Sequence, residues 1–309
     1  MQIQWFPGHM AKAKRLIQEN LSLVDLVIEV MDARVPLSGD NPEFDRMLGD
    51  KRRLMVFNRS DMADPAITAT WQEYFKNKNI PCLFINSKER KQAMQVANMA
   101  YSIMADKIQA QKDKGRKPQP VRAMIVGIPN VGKSTLINSL AGRAAAFTGD
   151  KPGVTRGKQW IDVGNIQLLD TPGVLWPRFE IPDIGVRLAF TGAIKEDVLD
   201  VAELSIEFIK FLQDRYPEAL VNRYGIADAP TMPALDLLET IGQKRGCRMS
   251  GGAIDYEKAA SLIMHDFREG RMGKITVDRV EDVETFAAKA EELRLEQLNR
   301  GKHARSKAD

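Results

Sequence analysis

Cysteine is scarce in this chain: Cys82 and Cys247 are the two among 309 residues, far apart and in no metal-ligand or redox spacing. That excludes a disulfide scaffold and a thiolate metal site, and leaves two buried thiols in a reducing compartment. Long apolar runs are missing too. The stretch 23–31 is broken by Asp25 and Glu29, so nothing approaches the roughly 20 residues of a membrane-spanning helix. The opening ten residues lack the apolar core of a signal peptide, and a cytoplasmic location without membrane contact is expected. Histidine is rare, with three in all. Neither sign of charge dominates: 45 Lys and Arg face 41 Asp and Glu, a formal +4, and the pI is near 8.9. This permits a nucleic-acid partner without demanding one. A hydrophobic share of 44% is ample for burial, and the length predicts about two domains.

What is present concentrates in residues 121–173. Gly127-Ile128-Pro129-Asn130-Val131-Gly132-Lys133-Ser134 fits the G-x-x-x-x-G-K-[ST] phosphate loop, entered by an apolar strand over 124–126 and left by a helix over 135–140. Glycines let the backbone curl so that successive N–H groups, from Asn130 and Val131 through Gly132 to Thr135, face phosphate oxygens. The helix N-terminus adds partial positive charge. Lys133 supplies a point charge for the β and γ phosphates, and the Ser134 hydroxyl suits a Mg²⁺ ligand. Downstream, a strand over 166–169 ends in Asp170-Thr171-Pro172-Gly173. Asp170 can hold Mg²⁺ through water, and the Gly173 N–H can bond the γ-phosphate and let go when it leaves. Between them lies Pro152-Gly153-Val154-Thr155, where Thr155 is the candidate metal ligand on a mobile loop.

Earlier in the chain, three apolar strands are expected over 26–31, 54–57 and 82–85, each ending on polar residues: Asp32-Ala33-Arg34, Asn58-Arg59-Ser60-Asp61 and Asn86-Ser87-Lys88. Polar carboxyl ends are what an open parallel sheet uses to meet a ligand. A guanine ring shows two adjacent donors, N1–H and the 2-amino group, which one carboxylate accepts as a pair; adenine lacks the second. Asp61 would select guanine, Asn58 would brace the loop through neighbouring backbone, Ser87 would meet O6, and Lys88 would lie over the base. Residues 11–21 read as an amphipathic helix with a basic face, either solvated or against nucleic acid. Pro36, Gly39 and Pro42 mark a loop, 71–78 and 92–110 are helical by pattern, and 111–119 read as a flexible linker.

The combined motifs resemble the GTPases, in an unusual order. In a Ras-like GTPase the phosphate loop comes first and the base readers last; here 58–61 and 86–88 precede 127–134. That order is similar to the circularly permuted GTPases, and the opening Trp5-Phe6-Pro7-Gly8-His9-Met10 looks like that of the ribosome biogenesis members. The resemblance spans the whole chain. It implies an α/β fold: a circularly permuted phosphate-loop GTPase domain over 1–178, a mainly parallel sheet flanked by helices, then a smaller all-helical domain over 179–309. It also implies GTP hydrolysis, slow until stimulated by ribosomal particles, and a helical module that binds rRNA on the large ribosomal subunit as a monomer. Arg59 and Ser60 depart from the Lys and small residue usual in the family; Arg lays its stem and planar head on a purine, so specificity should be retained. In the permuted order the chain leaves Gly173 and runs through 174–177 directly into the helical region, so a change at the γ-phosphate could pull on that region.

Helices are expected over 183–190, 198–216, 233–244, 255–269 and 283–298, with a basic, disordered tail over 300–307 that either contacts phosphates or merely solvates. Many GTPases place a Gln after Asp-x-x-Gly to orient the attacking water. Here Val174 and Leu175 follow, so another group must do it. His9 is the candidate, a role the resemblance also implies; a capping or surface histidine is the alternative reading. His265 reads as structural. Asn130 resembles the Asn that helps hold K⁺ in potassium-activated GTPases. Two rivals remain open from the residues: a phosphate-loop kinase or ATPase, against which Asn58 and Asp61 argue, and a GTP-dependent module acting on another RNA or protein complex.

Overall fold

The structure, a computed structural model, describes residue 3, residues 8–142 and residues 160–305, without the side chains of His9 and 296–305. Thr155 lies outside the described residues, as does the side chain of His9. The heart of the fold is β1 (Leu26–Asp32), buried at every position. Around it run β2 (Arg52–Asn58), β3 (Cys82–Phe84), β4 (Val121–Val126), β5 (Trp160–Val163) and β6 (Ile166–Asp170). The sheet order is β3-β2-β1-β4-β6-β5. Every pair is parallel except β5 with β6. β1 and β4 are neighbours, with Leu26 opposite Ala123, although nearly 100 residues separate them. Carboxyl ends of β1, β2, β4 and β6 therefore share one edge, where an open α/β sheet binds its ligand.

Period-two side-chain alternation explains why β1 is apolar throughout. Leu26, Ile28 and Val30 meet Ala93, Val96 and Ala97 of α4 (Arg90–Ile103) and Leu136 and Ile137 of α6 (Lys133–Ala141). On the opposite face Val27 meets Ala13 and Ile17 of α1 (Gly8–Asn20) and Phe44 of α2 (Pro42–Leu48). Met31 there joins Phe57, Trp71 and Phe75, the last two on α3 (Pro65–Asn77). Both faces are covered, so both parities must be apolar.

The C-terminal region is helical: α7 (Pro182–Thr191), α8 (Val201–Arg215), α9 (Pro217–Tyr224), α10 (Ala234–Lys244), α11 (Tyr256–Arg268) and α12 (Asp282–Arg305), with α5 (Ala105–Asp113) completing the set before β4. Leu204, Phe208, Ile209 and Leu212 of α8 are wholly buried, and Phe208 lies 4.6 Å from Phe267 between ring centroids. This region is fastened to the sheet. Val277 N–H donates to the Arg34 carbonyl at 2.7 Å and Ile275 N–H to that of Met62 at 3.0 Å. Asp278, fully buried, accepts from the Leu37 and Ser38 N–H groups, the Ser38 hydroxyl and Arg187.

Several expectations need correction. The segment around Pro42 is a helix, α2, because Asn41 accepts from the Glu43 N–H and Pro42 occupies the first turn, where a missing N–H costs nothing. The helix expected over 92–110 is two, broken at Met104, and α5 runs into the expected linker as far as Asp113. Pro217 starts a further helix, α9, between the helices expected over 198–216 and 233–244, where none was expected. The terminal helix continues through Arg305, across most of the expected disordered tail. Cys82 is half-buried on the edge strand rather than buried.

Candidate nucleotide site

At the carboxyl end of β4 the chain turns through Gly127, Asn130 and Gly132, all with positive φ, into α6. Gly132 is a close-approach position as well as a left-handed one: a Cβ there would collide with the amide nitrogen of Asn58. That contact joins the two halves of the site. Asn58, at the end of β2 and 3% exposed, donates from Nδ2 to the Val131 carbonyl at 2.8 Å and accepts from the Ser87 N–H at 2.9 Å. One carboxamide thus ties three polar chain segments, 58–61, 86–88 and 127–134, into one cup. Arg59, itself at φ 61°, donates to the Asn130 carbonyl at 2.8 Å, and one of its nitrogens lies 3.7 Å from buried Asp32.

Within the cup the residues differ in accessibility. Asp61 and Lys88 are exposed, and Ser87 is buried. Ser60 serves the turn, its N–H donating to the Ile85 carbonyl at 3.1 Å. Asn86 does likewise: its Oδ1 accepts from the Lys88 N–H at 3.0 Å, an Asx turn that sets the path of 86–88. Ser134 and Thr135 open α6 half-buried.

Lys133 is 8% exposed, and its ammonium is folded back on the Gly127 and Ile128 carbonyls at 3.1 and 2.8 Å. Burial pushes its pKa down to about 8, opposed by the nearby Asp170 carboxylate. A charge held in the curl of its own loop is poised for an incoming polyphosphate. Asp170 ends β6 beside it, with Oδ1 buried and free of hydrogen bonds among the described residues. Burial raises its pKa, with Lys133 acting against the rise. An orphaned carboxylate oxygen fits a hard cation such as Mg²⁺; Asp170, with the Ser134 hydroxyl at the start of α6, would hold it, and it would neutralise phosphate charge there.

The segment after β6 is packed tightly. Thr171 donates from Oγ1 to the Ile125 carbonyl at 2.6 Å, and a Cβ on Gly173 would stand 2.8 Å from the Cα of Pro129. Val174 is wholly buried, with its N–H on the Gly127 carbonyl at 3.2 Å and its carbonyl accepting from Asn41 at 3.1 Å. It is turned away from solvent and cannot orient a water.

Two connections were not legible in the sequence. Asn130 donates from Nδ2 to the Gly192 carbonyl, at the end of α7, at 2.8 Å, so the phosphate loop touches the helical region directly. Asp32, at the end of β1, is held by Arg34 through its N–H and two guanidinium nitrogens. Burial works against the Asp32 charge, but Arg34, with Arg59 further off, outweighs it and lowers the pKa. Arg34 in turn donates to the Phe267 carbonyl of α11 at 3.0 Å and lies 4.6 Å over its ring. The polar triplet at 32–34 was the available signal; its partners, more than 200 residues away, were not.

Comparison with known proteins agrees with this geometry. A family described as "50S ribosome-binding GTPase" matches residues 122–223. Ribosome biogenesis GTPase A of Bacillus pumilus is 46% identical over 282 residues, covering 91% of this chain and all of that protein. The Thermotoga maritima protein of the same name is 30% identical, covering 91% and 96%. The solved GNP-bound structure of YlqF from T. maritima aligns with a TM-score of 0.60 at 28% identity, over 87% of this chain and 98% of that one. With the permuted strand order and the converging loops, these relatives show that the chain belongs to the ribosome biogenesis GTPase A family of circularly permuted GTPases.

Proposed function

We propose that this chain is a GTP-hydrolysing switch in assembly of the large ribosomal subunit, converting GTP to GDP and phosphate while its helical region, from residue 179 on, engages rRNA. The observation that carries the reading is the Asn58 carboxamide, which links the Val131 carbonyl to the Ser87 N–H and so brings base-reading loops onto a phosphate loop. In this reading Asp61 accepts the two guanine donors, Ser87 meets O6, and Arg59 and Lys88 flank the ring. N–H groups of Asn130, Val131, Gly132 and Thr135, with Lys133, take the phosphates. Ser134, Asp170 and Thr155 hold Mg²⁺, and the Gly173 N–H bonds the γ-phosphate.

His9 orients the attacking water in this scheme; α1 begins at Gly8, so His9 stands in its first turn. Asn130 serves as a K⁺ ligand through its Oδ1, which leaves its Nδ2 on the Gly192 carbonyl. Turnover is slow until a ribosomal particle orders these parts. The protein works as a monomer in the cytoplasm in this reading; no described helix is long and apolar enough to cross a membrane. Co-sedimentation with ribosomal subunits in GDP and in a non-hydrolysable GTP analogue tests the reading: retention on the large subunit in the analogue state is expected, and nucleotide-independent failure to bind would defeat it. His9→Ala should lower particle-stimulated turnover, and replacing K⁺ by Na⁺ should lower it as well.

A further inference from the structure

Under α2 and α3 lies a cavity of about 480 Å³, within the range of small-molecule sites. None of its lining residues belongs to the nucleotide cup. Its floor is apolar and aromatic: Met55, Trp71 and Phe75 are buried, Tyr74 forms a wall, and Val283 of α12 closes one side. Its polar edge is acidic in effect. Arg53 is already engaged by Glu29 and Asp45, and Arg52 by both oxygens of Asp106. Asp40 lines the same cavity, and its carboxylate makes no hydrogen bond or ion pair among the described residues; Oδ1 is closed off, which leaves Oδ2 as the oxygen on the cavity side. An unpaired carboxylate in a lining that is otherwise aromatic and apolar suits a donor that also carries apolar surface. Among the described residues no group of His, Cys, Asp or Glu could hold a metal ion, and the apolar, aromatic lining suits an organic body.

We propose that this cavity is a binding site for a small organic monocation, an amine or guanidinium on an aromatic or aliphatic body, with its head on Asp40 and its body over Met55 and Phe75. Cation attraction to the ring faces adds to the carboxylate contact. Anions are disfavoured by Asp40, and sugars by the dry floor. The site adjoins two distant segments of the chain. Asn41, next to Asp40, holds the Val174 carbonyl just past Gly173, and Trp71 donates to the Asp278 carbonyl at 3.1 Å.

The test is saturation-transfer NMR and calorimetry on the full chain with 2-phenylethylamine, against 2-phenylethanol and 3-phenylpropionate, which share the ring but not the charge. The amine should bind at least about tenfold tighter than either, and Asp40→Asn should remove about that factor, the worth of one charge-assisted hydrogen bond. Met55→Trp, which fills the floor, should abolish binding while GDP affinity and the circular dichroism spectrum stay unchanged. Equal binding of the three compounds, indifference to Asp40→Asn, or no saturable amine binding up to about 10 mM, the weak end of fragment affinity, would overturn the proposal.

Discussion

Asp61 stands exposed at the mouth of the cup while Asn58, three residues earlier, is buried and committed to backbone on both sides. The two therefore fail differently. Asp61→Asn removes the paired acceptor, so GTP affinity should fall about 10- to 100-fold while xanthosine triphosphate gains; competition binding with the two nucleotides checks this. Asn58→Ala should instead weaken both nucleotides, since it unties the loops. Another residue-scale consequence concerns Glu29, wholly buried in β1. Burial pushes its pKa up to about 7, which Arg53 only partly offsets. A carboxyl whose folded pKa lies above its unfolded value binds more protons when folded. Stability from Glu29 is therefore present below about 4.5 and lost as pH rises toward about 7. The loss is about 3 kcal/mol by that shift. Glu29→Gln should flatten the fall in urea midpoint between pH 5 and pH 8.

Among elements, the end of β6 is the one whose geometry has least slack. Gly173 sits where a Cβ would meet Pro129 of the phosphate loop, so the two loops cannot be displaced independently. Gly173→Ala should lower single-turnover GTP hydrolysis roughly 100-fold, with a smaller loss of GDP affinity, because in the proposed reading the Gly173 N–H bonds the γ-phosphate, which GDP lacks. Elements were unequally legible in the sequence. Buried strands with polar ends, such as 26–31 and 54–57, announce themselves by composition. Helix α2 does not: it is short, begins at a proline, and depends on an Asn41 cap that also serves Val174. Strand β5 went unread because four residues on a sheet edge carry little pattern. The break at Met104 falls inside a periodic run and is set by packing, Met104 being 4% exposed.

Across the whole molecule, two polar threads join the nucleotide cup to the helical region: Asn130 to Gly192, and Arg59 to Asp32 to Arg34 to Phe267. Both reach the phosphate loop, the second through the Arg59 bond to the Asn130 carbonyl, so nucleotide state should register beyond residue 178. Hydrogen exchange in 178–305 is expected to differ between GDP and a non-hydrolysable GTP analogue, most of all near Gly192; identical patterns would refute the coupling. Arg34→Ala leaves buried Asp32 with only the more distant Arg59, which should cost about 3 kcal/mol in denaturant unfolding. The sequence by itself determined the class of chemistry, that of a GTPase, because glycine spacing, Lys133, Asp170 and Asn58 with Asp61 are residue types that each suit one demand of a guanine nucleotide in the proposed reading. Only the tertiary structure decided how distant segments meet. Which carbonyl a buried Arg34 or an Asn130 amide finds depends on long-range packing, and no local pattern along the chain encodes a partner 60 or 230 residues away.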